Sequence, residues 1–156
     1  MIFGVAGTQL GFPRLMRYFE ALAVELDEQV VVQTAQPGYA PAMFTARAFM
    51  PPGEFDAHVR GASIVVGHAG IGTILAARRF ARPLVIVPRR FALGEHRNDH
   101  QAAMARQVAG TPGIAVAEDL PALRAALAAR SSPTGRHDFA PERERLIRAV
   151  DMFIRS

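Results

Sequence analysis

The feature that most constrains the fold is a regular alternation of short apolar segments with longer amphipathic ones. The short segments are rich in β-branched residues, which is typical of strands that are covered on both faces of a parallel sheet. We expect such strands at residues 1–7, 29–35, 46–50, 63–67, 83–88 and 113–117. Apolar residues at helical spacing predict helices at residues 12–26, 53–62, 72–81, 97–110, 119–130 and 140–156, the last of them amphipathic. This order predicts a single α/β domain over residues 1–156, Rossmann-like, with a mostly parallel sheet.

The composition excludes several classes of protein. No apolar run approaches the roughly 20 residues of a membrane-spanning helix, and we expect no signal peptide because the N-terminal segment lacks basic residues. The chain has no cysteine, which excludes disulfide and thiolate chemistry and fits a cytoplasmic location. The net charge of +4 rests on arginines that are scattered without interleaved aromatic residues, so we expect no nucleic-acid partner.

Three loops that follow predicted strands carry the glycines and most of the clustered polar residues. These loops are residues 6–11, 67–73 and 88–101. Ligands of open parallel sheets bind outside the carboxyl ends of the strands. We therefore expect the three loops to meet at one edge of the sheet and to form the binding site there.

The segment Gly67–Leu75, GHAGIGTIL, joins a predicted strand to a predicted helix. Glycines let the main chain approach a ligand closely, and the first N–H groups of a helix favour an anion. Thr73 adds a hydroxyl group and His68 an imidazole, so the segment is typical of a phosphate site. Because neither GxGxxG nor GxxxxGK[ST] occurs, a tight turn whose glycines only serve packing stays as the alternative.

A second polar cluster, GEHRNDHQ at residues 94–101, lies where a loop meets a predicted helix. Carboxylate and amide groups suit a ligand that bears many hydroxyl groups. The candidate contacts to such a ligand are Glu95, Asn98, Asp99 and Gln101.

The same cluster permits other interpretations. A metal site on His96, Asp99 and His100 is one alternative, and a solvated helix start capped by Asn98 or Asp99 is another. Arg89, at the end of the preceding strand, is a candidate contact to a diphosphate, with a surface charge as the alternative.

The segments GHAGIGTIL, RPLVIVPRR and GEHRNDHQ together resemble the C-terminal domain of the family 28 glycosyltransferases. In that family a histidine–alanine–glycine turn precedes a helix, and a later loop ends in a polar motif with a final glutamine. The segment GVAGTQLGFPRL adds a likeness to the small subunits of two-part exopolysaccharide glycosyltransferases. A more distant likeness is to the small subunit of the two-part N-acetylglucosamine transferase of the dolichol pathway. The resemblance covers nearly the whole chain and is weakest at residues 36–60 and 117–156.

The resemblance implies the C-terminal half of a GT-B glycosyltransferase, which binds a nucleotide diphosphate sugar such as a UDP-sugar. The diphosphate contacts that it implies are Gly70, Gly72 and Thr73, with His68 beside them. The sugar contacts that it implies are Asp99 and Gln101.

The resemblance also assigns the first loop and exposes one departure from the family. It implies that Gly7, Thr8 and Gln9 face the cleft, and that the main chain around Phe49 lies near the base. Many relatives place a glutamate that grips the ribose three positions after the threonine, where this sequence has Ala76. The identity of the base therefore stays open.

The resemblance further implies an inverting hexosyltransferase subunit that binds the donor and needs no metal or cofactor. Such a subunit acts only with a membrane-associated partner, which holds a lipid-linked saccharide acceptor for polysaccharide synthesis. The chain would then lie in the cytoplasm, peripheral to the inner face of the membrane through that partner. The predicted C-terminal helix carries an apolar stripe that suits packing on its own domain, the partner or a membrane. That stripe consists of Leu146, Ile147, Val150, Phe153 and Ile154.

Other functions stay open at this point, and the general base is unassigned. One is a non-catalytic nucleotide-sugar-binding or regulatory module, and another is a nucleotide-sugar epimerase-like fragment. A metal-dependent hydrolase that uses the two histidines of the second cluster is a third.

Overall fold

A computed structural model describes residues 1–130 together with Arg148 and Asp151. The strands of residues 1–130 are β1 (Ile2–Val5), β2 (Val30–Gln33), β3 (Thr45–Arg47), β4 (Ile64–Gly67), β5 (Leu84–Ile86) and β6 (Ile114–Val116). The helices of the same range are α1 (Pro13–Ala23), α2 (Pro52–Gly61), α3 (Ile71–Arg79), α4 (His100–Val108) and α5 (Leu120–Ala129). A short 3₁₀ helix, Phe91–Leu93, follows β5.

The six strands form one sheet in the order β3-β2-β1-β4-β5-β6, and every pair of neighbours is parallel. This is the order of the doubly wound nucleotide-binding fold. The chain starts in the middle of the sheet, builds outward to β3, and returns to place β4 on the other side of β1. The strand order therefore reverses between β1 and β4, which opens a crevice at their carboxyl ends.

The core is divided by the sheet into two apolar clusters. Helices α1 and α5 cover one face, where Phe19 and Leu123 are almost fully buried. Helices α2, α3 and α4 cover the other face, where Ile74 and Met104 are almost fully buried. Gly4 lets α1 lie close to β1, because a Cβ atom there would lie 2.6 Å from the Phe19 ring.

The expected elements of residues 1–130 are all present, with differences at their ends. Helix α4 begins at His100 and not at residue 97, because the Asn98 side chain accepts a hydrogen bond from the His100 amide and fixes a turn before it. The 3₁₀ helix was not expected. The edge strands β3 and β6 are only partly buried, unlike the four central strands, because each has a neighbour on one side only.

Two expectations fall outside the described residues. They are the polar linker at 131–138 and, apart from two positions, the amphipathic helix at 140–156 with its apolar stripe. Arg148 and Asp151 are helical and exposed. In the part of the chain that the structure describes, none of the helices has the length and hydropathy to cross a membrane.

Candidate functional site

The candidate site lies at the carboxyl edge of the sheet, where the strand order reverses. Two cavities open there, one of about 450 Å³ and one of about 150 Å³, and Gly7, Thr8 and His68 line both. The larger cavity extends toward α2, and the smaller one extends toward the start of α4. The loops after β1, β4 and β5 therefore meet, as the strand order requires.

His68, between the two cavities, has its tautomer fixed by a main-chain contact. Its Nδ1 atom lies 3.4 Å from the carbonyl oxygen of Val5, which can only accept, so Nδ1 carries the proton. Burial, together with the positive charge of Arg89, lowers the pKa of His68 to about 4. The ring is therefore neutral near pH 7, and its Nε2 atom accepts a hydrogen bond and does not donate one.

Two glycines leave room for the His68 ring. Gly7 has a φ of +113°, a backbone conformation that residues other than glycine rarely adopt. A Cβ atom there would lie 3.4 Å from the His68 ring. A Cβ atom on Gly70 would lie only 2.7 Å from His68 Cε1. Gly7 is therefore required by its backbone conformation, and Gly70 by the packing of the His68 ring.

The N-terminus of α3 is open toward the larger cavity. Gly70 is its N-cap residue, and no side chain caps the helix. Its first N–H groups and the helix dipole thus favour an anion. Thr73, only 4 % exposed, lines the same cavity. A Cβ atom on Gly72 would meet no protein atom within 4 Å, so the packing alternative accounts for Gly70 and not for Gly72.

The loop between β1 and α1 presents its carbonyl and amide groups in opposite ways. Its carbonyl oxygens at Ala6, Leu10 and Gly11 accept hydrogen bonds from Arg89, and that of Gly7 accepts one from Gln33. Among the described residues, nothing accepts a hydrogen bond from the amide N–H groups of residues 7–11. Such a run of free amides favours an anion.

Arg89 holds this loop in place. The residue is 3 % exposed. Its guanidinium donates to four main-chain carbonyl oxygens, at 2.6 Å for Ala6, 2.7 Å for Leu10, 2.7 Å for Gly11 and 3.4 Å for Glu95. It also lies 4.5 Å from the centre of the Phe12 ring. Burial lowers its pKa below the ordinary value. Arg89 lines the smaller cavity, but these contacts favour a role in holding the loop over a direct contact to a diphosphate.

Glu95 is likewise engaged by the protein. Its two carboxylate oxygens accept hydrogen bonds from Arg14 at 2.7 and 2.9 Å, and one of them also accepts from the Arg90 amide at 2.9 Å. Burial raises the pKa of Glu95, but the bonds from Arg14 and Arg90 outweigh it and lower the pKa overall. The pair is almost buried, with each side chain 9 % exposed. Glu95 thus ties the loop after β5 to α1 and lines neither cavity.

Gln101 reaches the smaller cavity from the first turn of α4. Its amide oxygen accepts hydrogen bonds from the Ala69 amide at 3.3 Å and from the Arg89 amide at 3.0 Å. These two contacts fix the orientation of the amide group, so that the Nε2 atom is the side of the group left to donate to a ligand. Of the four polar candidates in this cluster, Gln101 alone lines a cavity.

The other polar residues of the cluster organise the turn before α4. Asn98 accepts from the His100 amide at 3.2 Å and lies 3.1 Å from His96 Nδ1. Asp99 is at the N-cap position of α4, but its side chain accepts from the Phe91 amide at 3.2 Å instead of capping the helix. Across the described residues, no three His, Cys, Asp or Glu side chains lie together in a way that could hold a metal ion.

The structure also brings residues to the cavities that the sequence analysis did not name. Gln33 and Asp56 line the larger cavity, and so does Phe49, whose main chain the resemblance places near the base. Gln33 is the polar last residue of an apolar strand, VVVQ, and that position was a usable signal. Asp56 was not recognisable from the local sequence, because it lies on a surface helix among other charged residues. Nor was the role of Arg14, because its partner Glu95 is 81 positions away.

The chain has the fold of one half of a GT-B glycosyltransferase, an α/β domain with a crevice at the switch point of a parallel sheet. The model of the glycosyltransferase family 28 C-terminal domain matches residues 2–113, and the chain belongs to this family. Both the family resemblance and the fold class expected from the sequence are thereby confirmed.

Several solved structures share the fold. The glycotransferase of kitacinnamycin is similar over 99 % of this chain and 42 % of its own, with 23 % identity and a TM-score of 0.65. MurG of Acinetobacter baumannii is similar over 83 % of this chain and 41 % of its own, with 23 % identity and a TM-score of 0.59. The calicheamicin glycosyltransferase is similar over 98 % of this chain and 38 % of its own, with 20 % identity and a TM-score of 0.58.

The chain thus spans about two fifths of the length of these solved chains. At such low identity the likeness shows the fold. No curated protein matches the sequence.

Proposed function

We propose that this domain binds a nucleotide diphosphate sugar and is the donor-binding half of an inverting glycosyltransferase. The observation that carries the proposal is the arrangement of two amide-rich loops on either side of the switch point. Residues 7–10, whose amide groups have no acceptor among the described residues, and the uncapped N-terminus of α3 line the same crevice, together with His68. Two such anion-favouring groups suit the two phosphates of a diphosphate.

The two cavities suit the two ends of the same ligand. The larger, of about 450 Å³, has mainly apolar walls, and its volume falls in the range of small-molecule sites. It suits the nucleoside. The smaller one, of about 150 Å³, has polar walls that include Gln9, His96 and Gln101, and it suits the sugar. In this arrangement Gln101 Nε2 donates to a sugar hydroxyl.

Catalysis by such a half-domain consists of positioning the donor and stabilising the leaving diphosphate. Fixed amide groups stabilise the charge that develops on the phosphate when the bond to the sugar breaks. His68, neutral and with its Nε2 atom as an acceptor, suits a hydroxyl group or water near the phosphates and is a weak proton acceptor at a pKa of about 4. The general base that deprotonates the acceptor is left to the acceptor half.

We assign the acceptor half to a membrane-associated partner subunit that holds a lipid-linked saccharide. The support lies at the carboxyl edge of the sheet. On this chain, Leu10, Phe91 and Leu93 are half-exposed apolar residues on loops of the carboxyl edge, which would face an acceptor half. In this proposal sugar transfer requires both proteins, and labelled sugar transferred by this chain alone would contradict it.

A set of four titrations tests the proposed site. Thr73→Ala is expected to weaken uridine diphosphate and a UDP-sugar alike, because Thr73 is assigned to the diphosphate. Gln101→Ala is expected to weaken the UDP-sugar more than uridine diphosphate, by roughly the further 0.5–1.5 kcal/mol of a neutral hydrogen bond to the sugar. Calorimetry with both ligands and both variants measures the four changes in affinity.

The titrations can also contradict the site. If Gln101→Ala weakens uridine diphosphate as much as it weakens the UDP-sugar, the two cavities do not divide the ligand as proposed. If both variants fold and bind both ligands like the unmodified protein, the crevice is not the donor site.

A further inference from the structure

The larger cavity contains one acidic side chain, that of Asp56 on α2. The walls around it are apolar and include Phe49, Met50 and Phe55. The groups that favour an anion are at the first turn of α3, whereas Asp56 is bound to Arg79, the last residue of that helix. Asp56 and the first turn of α3 line the same cavity, so we expect the nucleoside to fill the space between the carboxylate and the proposed phosphate position.

One carboxylate oxygen of Asp56 accepts a hydrogen bond from the protein, and the other accepts none from the described residues. Its Oδ2 atom accepts a hydrogen bond from Arg79 at 3.1 Å, and its side chain is 30 % exposed. The Arg79 guanidinium lies 5.0 Å from the centre of the Phe80 ring, which restricts its position. Among the described residues, none donates a hydrogen bond to Asp56 Oδ1. This oxygen is available to accept from a ligand.

Arg79, which binds the Asp56 carboxylate, is three residues from a position on α3 where the resemblance expects a carboxylate. The resemblance expects a glutamate at position 76, where this chain has a half-buried alanine that packs against the core. Ala76 and Arg79 are three residues apart on α3 and so lie on neighbouring parts of one helix face. Asp56, bound to Arg79, is therefore our candidate for the acidic group that position 76 lacks in this chain.

We propose that Asp56 accepts the hydroxyl groups of the ribose of the bound nucleotide. A carboxylate oxygen can accept from both hydroxyl groups of a vicinal diol. The positive charge of Arg79 reduces the repulsion between this carboxylate and the nearby diphosphate. The inference rests on the proposed function, since it assigns one part of the same ligand.

The test compares ribose with 2′-deoxyribose. Uridine, guanosine and adenosine diphosphates are titrated into the protein, and the one that binds most tightly is compared with its 2′-deoxy form. The unmodified protein is expected to prefer the ribose form by about tenfold, as for the loss of one hydrogen bond to a charged group. Asp56→Ala is expected to weaken the ribose form by about the same factor, to change the 2′-deoxy form by less than about twofold, and so to abolish the preference.

The matched control is Glu54→Ala, which removes an exposed carboxylate from the same helix but not from the cavity. It is expected to leave both affinities unchanged. Arg79→Met keeps the Asp56 carboxylate and removes its anchor, and it is expected to reduce the preference only in part. Thermal unfolding of each variant shows that the fold is retained.

The outcomes separate this inference from the proposed function. If Asp56→Ala keeps the preference for ribose, or weakens both forms equally, Asp56 does not bind the ribose although the nucleotide site stands. If the unmodified protein binds none of the three nucleoside diphosphates, the proposed function and this inference both fail.

Discussion

Gly72→Ala is expected to stabilise the free protein and at the same time to weaken nucleotide binding. Gly72 is in the first turn of α3, is exposed and does not have a positive φ, so alanine fits its backbone conformation. A Cβ atom there meets no protein atom within 4 Å. Glycine is a poor helix former, and nothing in the packing of the domain requires it at this position.

The expected changes have opposite signs and can be estimated. Replacing glycine by alanine at a compatible position adds about 0.4–1 kcal/mol to the free energy of unfolding, or roughly 1–4 °C in Tm for a domain of this size. The added methyl group occupies space that lines the larger cavity, where the diphosphate is proposed to approach the main chain. We expect nucleoside diphosphate affinity to fall by about tenfold or more, as when a close contact to an anion is lost.

Gly70→Ala is the matched control for the stability measurement. Its Cβ atom would lie 2.7 Å from His68 Cε1, so this substitution is expected to destabilise the protein by about 1–3 kcal/mol, the usual effect of overpacking. Thermal unfolding without ligand and calorimetric titration of uridine diphosphate measure both properties for both variants. If Gly72→Ala lowers Tm, the packing of the domain does require glycine at this position. If it leaves the affinity unchanged, the ligand does not approach the main chain at Gly72.

Two further predictions concern the residues that hold the loops. Arg89→Lys keeps the charge but loses the planar fork of donors, so it is expected to lower the free energy of unfolding by about 1–3 kcal/mol. Arg90→Lys is the control, because its ion pair is exposed, and it should change this free energy by less than about 1 kcal/mol. Urea unfolding compares the two variants, and equal effects would contradict the role of Arg89 in holding the loop. His68 has a folded-state pKa of about 4 against 6.5, so the unfolded chain binds its proton first and stability is lost as the pH falls from about 6.5 to 4. This amounts to on the order of 2 kcal/mol between pH 7 and about pH 5, and urea unfolding at both pH values should find a smaller loss in His68→Gln; an unchanged loss would refute it.

The fold was predictable because its strands have a strong local signal. Val30–Gln33 and Ile64–Gly67 are short apolar runs that are buried along their whole length, and the segments between them have helical spacing. The alternation of the two then leaves few topologies other than a parallel sheet. Element ends were less predictable, since the start of α4 depends on one side-chain contact from Asn98.

The meeting of the three loops was predictable from the sequence, but the contacts of each residue in them were less so. The rule that ligands bind at the carboxyl ends of strands needs only the order of elements, and it located all three loops. Whether a charged residue faces a ligand or the protein depends on partners far away in sequence. The local sequence shows only that Glu95 and Arg89 are charged. The structure shows that both contact the protein itself, Glu95 through Arg14 and Arg89 through the first loop.

The two hydrogen bonds accepted by the Gln101 side-chain oxygen link all three loops, because one comes from the loop after β4 and the other from Arg89, which in turn holds the loop after β1. A binding surface built in this way is preorganised, so little conformational entropy is lost when a ligand arrives. Ordering the main chain of a loop costs about 1–2 kcal/mol of free energy per residue. In this protein the loops are ordered when the chain folds, before a ligand binds. Replacement of one loop alone by that of a relative would break contacts to both of the other loops. We expect the three loops to be transferable only as a set.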